Sequence, residues 1–206
     1  NSFYSSIQAA VDESVTDDTI IVHPGTFQEN LTIDNKNIVL ASKYLLTSDT
    51  SFISSTIIDG TDAALGISAS VIRITGNDFS QTQIIGFDIR NGAPNLSLGY
   101  SPGNGSGIYI KGEISPIIKY CDINNNESKD EGGGGIYIGQ NYNNPLNCQP
   151  IFENITIRNN QTSPYQSYAG GGVYIRRGSV PVFNNVNFIN NSSDYGGAIY
   201  ITTTNT

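Results

Sequence analysis

The segment Gly135-Ile136-Tyr137-Ile138 recurs along this 206-residue chain. Its other copies are Ile72-Arg73-Ile74, Gly107-Ile108-Tyr109-Ile110, Gly172-Val173-Tyr174-Ile175 and Ala198-Ile199-Tyr200-Ile201. The tyrosines of consecutive copies are separated by 28, 37 and 26 residues. Self-similarity at such a spacing, with apolar and polar residues alternating inside each copy, is typical of a solenoid of stacked strands.

Two further apolar segments follow the later copies in a fixed order. The second segment begins with proline and is present as Pro116–Ile118, Pro150–Phe152 and Pro181–Phe183. The third segment is present as Phe87–Asn91, Cys121–Asn125, Ile155–Asn159 and Val186–Asn190. Three short strands cannot bury their inner face alone, whereas stacked three-strand units bury it against one another. The sequence therefore predicts an all-β parallel β-helix.

Two columns of residues follow from aligning the third strands. The inward column is Ile89, Ile123, Ile157 and Phe188. The column at the end of the strand is Asn91, Asn125, Asn159 and Asn190. Asparagine tolerates the left-handed conformation of a sharp corner, and its amide can hydrogen-bond from one coil to the next. We therefore expect this second column to form both the corner and an asparagine ladder.

The N-terminal part of the chain predicts the first coils and a cap. The expected strands are Thr19–Val22, Leu31–Ile33, Asn37–Leu40 and Thr56–Ile58. A helix is expected over Ser5–Ser14, with Ser5 and Gln8 as a capping box. The complete prediction is a single-stranded right-handed parallel β-helix (a solenoid) with a short N-terminal capping α-helix. We divide residues 1–206 into a cap at 1–18 and coils at 19–206, all one domain within a longer chain.

Composition narrows the classes of partner. The net charge of −8 and the pI near 4.4 argue against a nucleic-acid partner, because phosphate binding requires clustered lysine and arginine. No apolar run approaches the roughly 18 residues of a membrane span. Cys121 and Cys148 are too few for a disulfide framework, and we expect both to be free because they fall in different columns.

Sequons for asparagine glycosylation favour an extracellular or cell-surface location. They occur at Asn30, Asn95, Asn104, Asn126, Asn154, Asn160, Asn190 and Asn191.

Two parts of the chain resemble known β-helix proteins. The stretch Ser6–Val11, followed by Asp18–Asn30, resembles the opening of pectin-lyase-like proteins, including pectin methylesterases. The stretch Phe188–Asn191 with Gly196–Ile199 is similar to the repeats of polymorphic outer-membrane autotransporter passengers. The resemblance implies the fold and little about activity, since that superfamily contains enzymes, adhesins and spacers. The segments that carry pectin methylesterase catalysis have no counterpart here, so no catalytic residue is assigned.

The tyrosine column is the first candidate binding site. Because its residues alternate with inward isoleucines, we expect them to be exposed on the outer face of the first strand. An exposed aromatic row suits a polysaccharide or a surface protein, and the alternative is that the rings only stabilise the sheet. The candidate residues are Tyr109, Tyr137, Tyr174, Tyr200, Arg73 and Arg176.

Asp88 and Asp122 form the second candidate site. They hold equivalent outward positions in consecutive third strands, about 5 Å apart at the spacing of a sheet. Two such carboxylates repel each other, and they suit either Ca²⁺ binding or a catalytic acid/base pair. Arg90 lies close enough in sequence to relieve the repulsion, in which case the pair belongs to a solvated face. Apart from this Ca²⁺ we expect no cofactor.

Three functions remain open at this point. The leading hypothesis is a non-catalytic extracellular module that presents an aromatic face to a glycan or a protein, or acts as a surface scaffold. The first alternative is a polysaccharide-active enzyme, either a lyase or a hydrolase. The second is a self-assembling filament or stalk subunit, with an end-to-end contact at the C-terminal coil because apolar strand edges would be open there.

Overall fold

The computed structural model describes residues 2–61, 70–77, 81–93, 105–128, 132–139, 148–162, 169–176 and 178–202. The strands are β1 Thr19–Val22, β2 Gly25–Gln28, β3 Leu31–Asp34, β4 Val39–Ser42, β5 Thr56–Asp59, β6 Ile72–Gly76, β7 Gln83–Ile85, β8 Asp88–Arg90, β9 Ile108–Gly112, β10 Ile117–Lys119, β11 Asp122–Asn124, β12 Glu127–Ser128, β13 Ile136–Gly139, β14 Ile151–Arg158, β15 Gln161–Thr162, β16 Val173–Ile175, β17 Val182–Ile189 and β18 Ile199–Ile201. The helices are α1 Ile7–Glu13, α2 Tyr44–Thr47 and α3 Ser51–Ser55.

The strands pair in parallel between successive coils, as a β-helix requires. One sheet collects the first strands in the order β18-β16-β13-β9-β6-β3. A ten-stranded sheet collects the second and third strands of every coil. The two groups join because β14 and β17 each run through both positions without a break. The predicted right-handed parallel β-helix is confirmed.

The register of the third strands is the one expected from the sequence. Ile123 pairs with Ile89 on one side and Ile157 on the other, and Phe188 follows Ile157. The first three of these side chains have no solvent exposure. Period-2 alternation directs every second residue of a strand inward, so stacking places like residues one above another. The apolar core is therefore a set of continuous columns along the solenoid.

Asparagine forms the corners after the third strands. Asn91, Asn125, Asn159 and Asn190 have positive φ angles of 58°, 54°, 53° and 52°. This confirms the predicted left-handed corner. A second set of corners, between the second and third strands, also has positive φ, at Gly86, Tyr120, Asn154 and Asn185.

The predicted ladder lies one residue further along the chain than expected. The Asn126 backbone N–H donates to Asn160 Oδ1 at 3.0 Å, and the Asn160 N–H donates to Asn191 Oδ1 at 3.0 Å. Assigning the ladder to the corner asparagines was therefore wrong. Because the left-handed corner residue interrupts the alternation of side-chain directions, the residue after it points inward, and Asn126 and Asn160 are accordingly fully buried.

Helix α1 covers the N-terminal coil, with its apolar residues Ile7, Ala10 and Val11 buried. The capping box was wrong, because Ser6 is the N-cap and accepts a hydrogen bond from the Ala9 N–H at 3.2 Å. The Gln8 side chain instead pairs with the edge of β3. Its Oε1 accepts from the Thr32 N–H at 2.8 Å, and its Nε2 donates to the Thr32 carbonyl at 3.1 Å. The amide of Gln8 thus replaces the strand that would otherwise pair at that point.

Opposite charges hold the two ends of α1. The Glu29 carboxylate accepts from the N–H groups of Ile7 and Gln8, each at 2.9 Å. The Lys36 ammonium donates to the carbonyls of Asp12 and Ser14 at 3.0 and 2.7 Å. These charges complement the free N–H and C=O groups at the helix ends. The cap is therefore fixed to the first coil by polar contacts as well as by its buried side chains.

Three elements of the first coils were not expected from the sequence. They are the strand β2 and the short helices α2 and α3 between β4 and β5. Strand β4 also begins at Val39, two residues later than predicted. The helical insertion places Tyr44 against Tyr120 of a later coil, with ring centroids 4.8 Å apart. No helix among the described residues is long and apolar enough to cross a membrane.

Candidate functional site

The tyrosines of the first strands form one continuous stack. Tyr109 and Tyr137 have ring centroids 5.1 Å apart and planes 5° apart. The distances from Tyr137 to Tyr174 and from Tyr174 to Tyr200 are 5.5 and 5.6 Å. Register pairing brings the rings together, because each tyrosine is the direct partner of the next along the sheet. We call these four residues the tyrosine stack.

Two predicted arginines contact the tyrosine stack. The guanidinium carbon of Arg73 lies 4.9 Å from the centroid of the Tyr109 ring, which is the distance of a cation–π contact. Arg176 Nη1 donates to the Tyr137 hydroxyl at 3.1 Å. The structure therefore brings all six predicted binding residues into one continuous set.

The expected exposure of the stack is wrong for its first three members. Tyr109, Tyr137 and Tyr174 are only 4%, 2% and 9% exposed, and Tyr200 is half-buried. Glycine-rich segments lie against the rings. A Cβ at Gly105 would be 2.4 Å from Tyr137 Cβ, and one at Gly132 would be 2.9 Å from Tyr174 Cδ2. Glycine is thus required where the chain runs beside Tyr137 and Tyr174, and the predicted aromatic face is largely an interior layer.

A polar network covers the outer side of the third strands. We call Asp59, Asp88, Arg90, Asp122, Asn124 and Arg158 the third-strand face. Arg158 binds Asp122 of the preceding coil, with Nε 3.0 Å from both carboxylate oxygens and Nη2 2.8 Å from Oδ2. Asn124 Nδ2 makes the equivalent diagonal contact to Asp88 Oδ1 at 2.8 Å. Each coil therefore holds the carboxylate of the coil before it.

The network continues to the earlier coil through Arg90. Its Nε lies 3.1 Å from Asp59 Oδ2, whereas its Nη1 lies 3.8 Å from Asp88 Oδ2. Asp59 also accepts two hydrogen bonds from Asn91 Nδ2, at 3.1 and 3.0 Å. Arg90 was expected to relieve the repulsion between Asp88 and Asp122, but it binds Asp59 more closely.

Burial distinguishes the two predicted carboxylates. The Asp88 side chain is 11% exposed and that of Asp122 is 26% exposed. Burial raises the pKa of Asp88; the hydrogen bond from Asn124 opposes this shift, and the charge of Asp122 adds to it. The hydrogen bond to Asp122 raises the pKa of Arg158. Asp88 was expected on a solvated face and is instead nearly enclosed.

Asp59 shows the opposite behaviour in a similar position. Burial would raise its pKa, but hydrogen bonds from Thr61, Asn91 and Arg90 outweigh burial and hold the pKa below its usual value. A carboxylate with several donors is stabilised in its charged form, whereas Asp88 has fewer donors and a like charge in register. The third-strand face therefore contains one strongly ionised carboxyl group and one that retains its proton more readily.

The contacts of Asp88 and Asp122 bear on the predicted calcium site. Among the described residues, no group of three or more histidine, cysteine, aspartate or glutamate side chains is arranged to hold a metal ion. Asp122 is bound by a guanidinium group through both oxygens, so a cation at Asp88 and Asp122 would have to displace Arg158. Calcium binding at this pair stays a prediction.

Both cysteines are free, as expected, and both are buried. Burial raises the pKa of Cys121 to about 12 and that of Cys148 to about 12. Thiolate is the reactive form of cysteine, so neither thiol is a nucleophile at neutral pH. Both belong to the apolar core.

The chain belongs to the right-handed β-helix family, because the family described as "Right handed beta helix region" matches residues 43–206. No curated protein matches the chain at a significant level. Among solved structures, a pectin methylesterase in complex with a hexasaccharide is 15% identical, with a TM-score of 0.47, and the match covers 95% of this chain and 67% of that one. The deglycosylated pectin methylesterase from Aspergillus niger is 16% identical, with a TM-score of 0.39, and the match covers 98% of this chain and 82% of that one.

Likeness at this level carries no activity or substrate over to this chain. The similarity to autotransporter repeats is tested by none of these comparisons and stays a prediction.

Proposed function

We propose that this chain is a non-catalytic module of an extracellular or cell-surface protein, and that its third-strand face recognises a glycan or another protein. The supporting observation is the diagonal network in which Arg158 and Asn124 hold Asp122 and Asp88. The Arg158 and Asp122 side chains are 36% and 26% exposed and already hold each other, so they lose little conformational entropy when they bind a partner. The buried tyrosine stack then serves as the support of the solenoid, with Tyr200 as its most accessible ring.

A binding experiment with matched variants tests this proposal. The 206-residue chain is screened on an array of polysaccharides and cell-surface glycans, and the affinity of the best ligand is measured by calorimetry. Arg158→Met removes a side chain that is 36% exposed from the third-strand face. Lys119→Met is the control, since Lys119 is 29% exposed in an ion pair with Glu153 but lies on a second strand.

We expect Arg158→Met to weaken binding at least about tenfold, as for a hot-spot residue, and Lys119→Met to leave affinity unchanged. Equal effects of the two variants, or the absence of any ligand on the array and on a panel of cell-surface proteins, would contradict the proposal.

A polysaccharide-active enzyme is the second candidate, and the environment of Asp88 favours it. Asp88 and Asp122 are direct register partners, and burial raises the pKa of Asp88. A carboxyl group whose protonated form is favoured by burial, next to a second carboxyl group, suits the general acid of glycoside hydrolysis. Release of reducing ends, or of 4,5-unsaturated products for a lyase, from a polysaccharide panel tests this candidate. Activity that disappears in both Asp88→Asn and Asp122→Asn would support it over the binding module.

Self-association is the third candidate, and the last described coil favours it. Its exposed apolar side chains are Val180, Val182, Ile189, Tyr195 and Ile201. Such a surface favours contact with another apolar surface, which would make the chain a filament or stalk subunit. Light scattering after size-exclusion chromatography tests this candidate, with Val182→Lys as the variant. A molar mass that rises with concentration and returns to the monomer value in the variant would support it.

A further inference from the structure

Four of the eight sequon asparagines fall into two structural groups. Asn126 and Asn160 belong to the inner ladder and have no solvent exposure. Asn154 and Asn190 are exposed corner residues with φ angles of 54° and 52°. The same three-residue signal thus occurs both inside the solenoid and on its surface. The two groups differ in whether their amide nitrogen is available for modification.

Asn126 and Asn160 each use both hydrogens of the amide nitrogen. Asn160 Nδ2 donates to the Ile123 carbonyl at 2.9 Å and to Asn191 Oδ1 at 3.0 Å. Asn126 Nδ2 donates to the Ile89 carbonyl at 3.3 Å and to Asn160 Oδ1 at 2.9 Å. Glycosylation replaces one of these hydrogens with a sugar. A buried carbonyl or amide oxygen would lose its donor, and the sugar would have to occupy packed interior.

The corner asparagines keep their amide nitrogen available. Asn154 Oδ1 accepts a hydrogen bond from Asn185 Nδ2 at 2.7 Å, whereas Asn154 Nδ2 donates to none of the described residues. A sugar on Nδ2 leaves the carbonyl oxygen, and therefore this contact, in place. Asn190 is exposed and has no side-chain hydrogen bond within the described part of the chain. Thr156 and Ser192 complete the two sequons.

We propose that Asn154 and Asn190 are acceptor sites for asparagine-linked oligosaccharide, and that Asn126 and Asn160 are excluded in the folded protein. In the transfer, Nδ2 forms a bond to the anomeric carbon of a lipid-pyrophosphate-linked oligosaccharide. The bond from that carbon to the pyrophosphate oxygen breaks, the lipid pyrophosphate leaves, and the amide releases one proton. Because transfer in a secretory pathway precedes folding, a sugar on the ladder would prevent the coils from stacking.

Secretion from a glycosylating eukaryotic host tests the proposal with the full 206-residue chain. The secreted and retained pools are treated with peptide N-glycosidase in ¹⁸O-water, which converts each occupied asparagine into labelled aspartate for peptide mass spectrometry. We expect label at Asn154 and Asn190 in the secreted pool and label at Asn126 and Asn160 only in the retained pool. Asn154→Gly and Asn190→Gly keep a residue that tolerates positive φ, so each should remove one glycan and leave the melting temperature nearly unchanged.

A second experiment tests the proposal if little protein is secreted. The chain is folded without glycans and then incubated with purified oligosaccharyltransferase. Short peptides that span the sequons of Asn126, Asn154, Asn160 and Asn190 are incubated in parallel. We expect all four peptides to accept the sugar and the folded chain to accept it only at Asn154 and Asn190. Label at Asn126 or Asn160 in protein with a cooperative melting transition, or no label at either corner, would overturn the proposal.

Discussion

The outward positions of the first and third strands occupy the same place in the alternation, yet their surroundings differ. On the first strands these positions hold the tyrosine stack, whose first three rings are almost fully buried. On the third strands they hold charged and amide side chains that bind one another diagonally between coils. The comparison shows that alternation fixes which residues leave the inner core, whereas the neighbouring connections decide which of them reach water.

The largest expected effect tests the register on which this comparison depends. Ile123→Asp places a charge among side chains with no solvent exposure and should cost several kcal/mol of unfolding free energy. Asp122→Ile, one residue away, removes an ion pair from a partly exposed face and should cost about 1 kcal/mol or less. Denaturant unfolding of both variants measures the difference. Equal losses of unfolding free energy in the two variants would contradict the register in which Ile123 faces the core and Asp122 faces outward.

The second prediction compares an inner ring of the tyrosine stack with its last ring. Tyr137→Ala should destabilise the protein by about 3 kcal/mol, because its ring is 2% exposed and lies between two others. Tyr200 is half-buried and should cost about 1 kcal/mol when replaced by alanine, since less area returns to water. Chemical denaturation measures both. An unchanged free energy of unfolding in Tyr137→Ala would support the exposed aromatic face expected from the sequence.

The third prediction separates a ladder asparagine from its corner neighbour. Asn160→Ala leaves buried partners without their hydrogen bonds and should cost about 2 kcal/mol. Asn159→Gly keeps a residue that tolerates the positive φ of 53° and should change stability by a few tenths of a kcal/mol. Thermal unfolding of the pair distinguishes the two roles. A larger loss for Asn159→Gly would place the ladder at the corner after all.

The smallest effects concern the pH dependence of the third-strand face. The pKa of Asp88 is raised on folding, so its ionisation destabilises the folded protein. This loss of stability is absent below the pKa of the unfolded state, near 3.8, and fully present above the pKa of the folded state. Asp88→Asn should therefore gain stability relative to the wild type as the pH rises from 3.5 to about 7.

Asp59 is the control with the opposite sign. Its pKa is lowered on folding, so its ionised form stabilises the folded protein. This stabilisation is present above the pKa of the unfolded state and is lost as the pH falls through the pKa of the folded state. Asp59→Asn should cost about 1 kcal/mol at neutral pH and less in acid. Unfolding free energies of the two variants across this pH range check the signs. Parallel pH profiles would contradict the assigned environments.

Repetition explains how much of the fold was predictable. The tripeptide around Tyr137 and the column containing Ile123 fix the strands and the register, because an error of one residue would turn every apolar side chain outward. The insertion of α2 and α3 was not predictable in this way, since it occurs once and has no second copy for alignment. The capping helix was recognised from its apolar face, but the partner of Gln8 lies on β3, 24 residues away.

The candidate sites were less predictable because their properties depend on contacts between coils. The sequence places Asp88 and Asp122 in register but does not show that Arg158 reaches back to the coil before it. The burial of Tyr137 depends on Gly105, a residue of the preceding coil, which has no side chain to hold the two segments apart. The ladder was missed by one residue because Asn159 and Asn160 are identical in sequence and differ only in direction.

Hydroxyl-radical footprinting of the tyrosines tests the central comparison most directly. Tyr4 and Tyr195 are 47% and 54% exposed and serve as internal references within the same chain. We expect Tyr109, Tyr137 and Tyr174 to resist oxidation in the native protein and to react at the rate of the references only after unfolding. Oxidation of Tyr137 in the native protein as fast as that of Tyr195 would contradict the burial of the tyrosine stack and would mean that its rings are exposed.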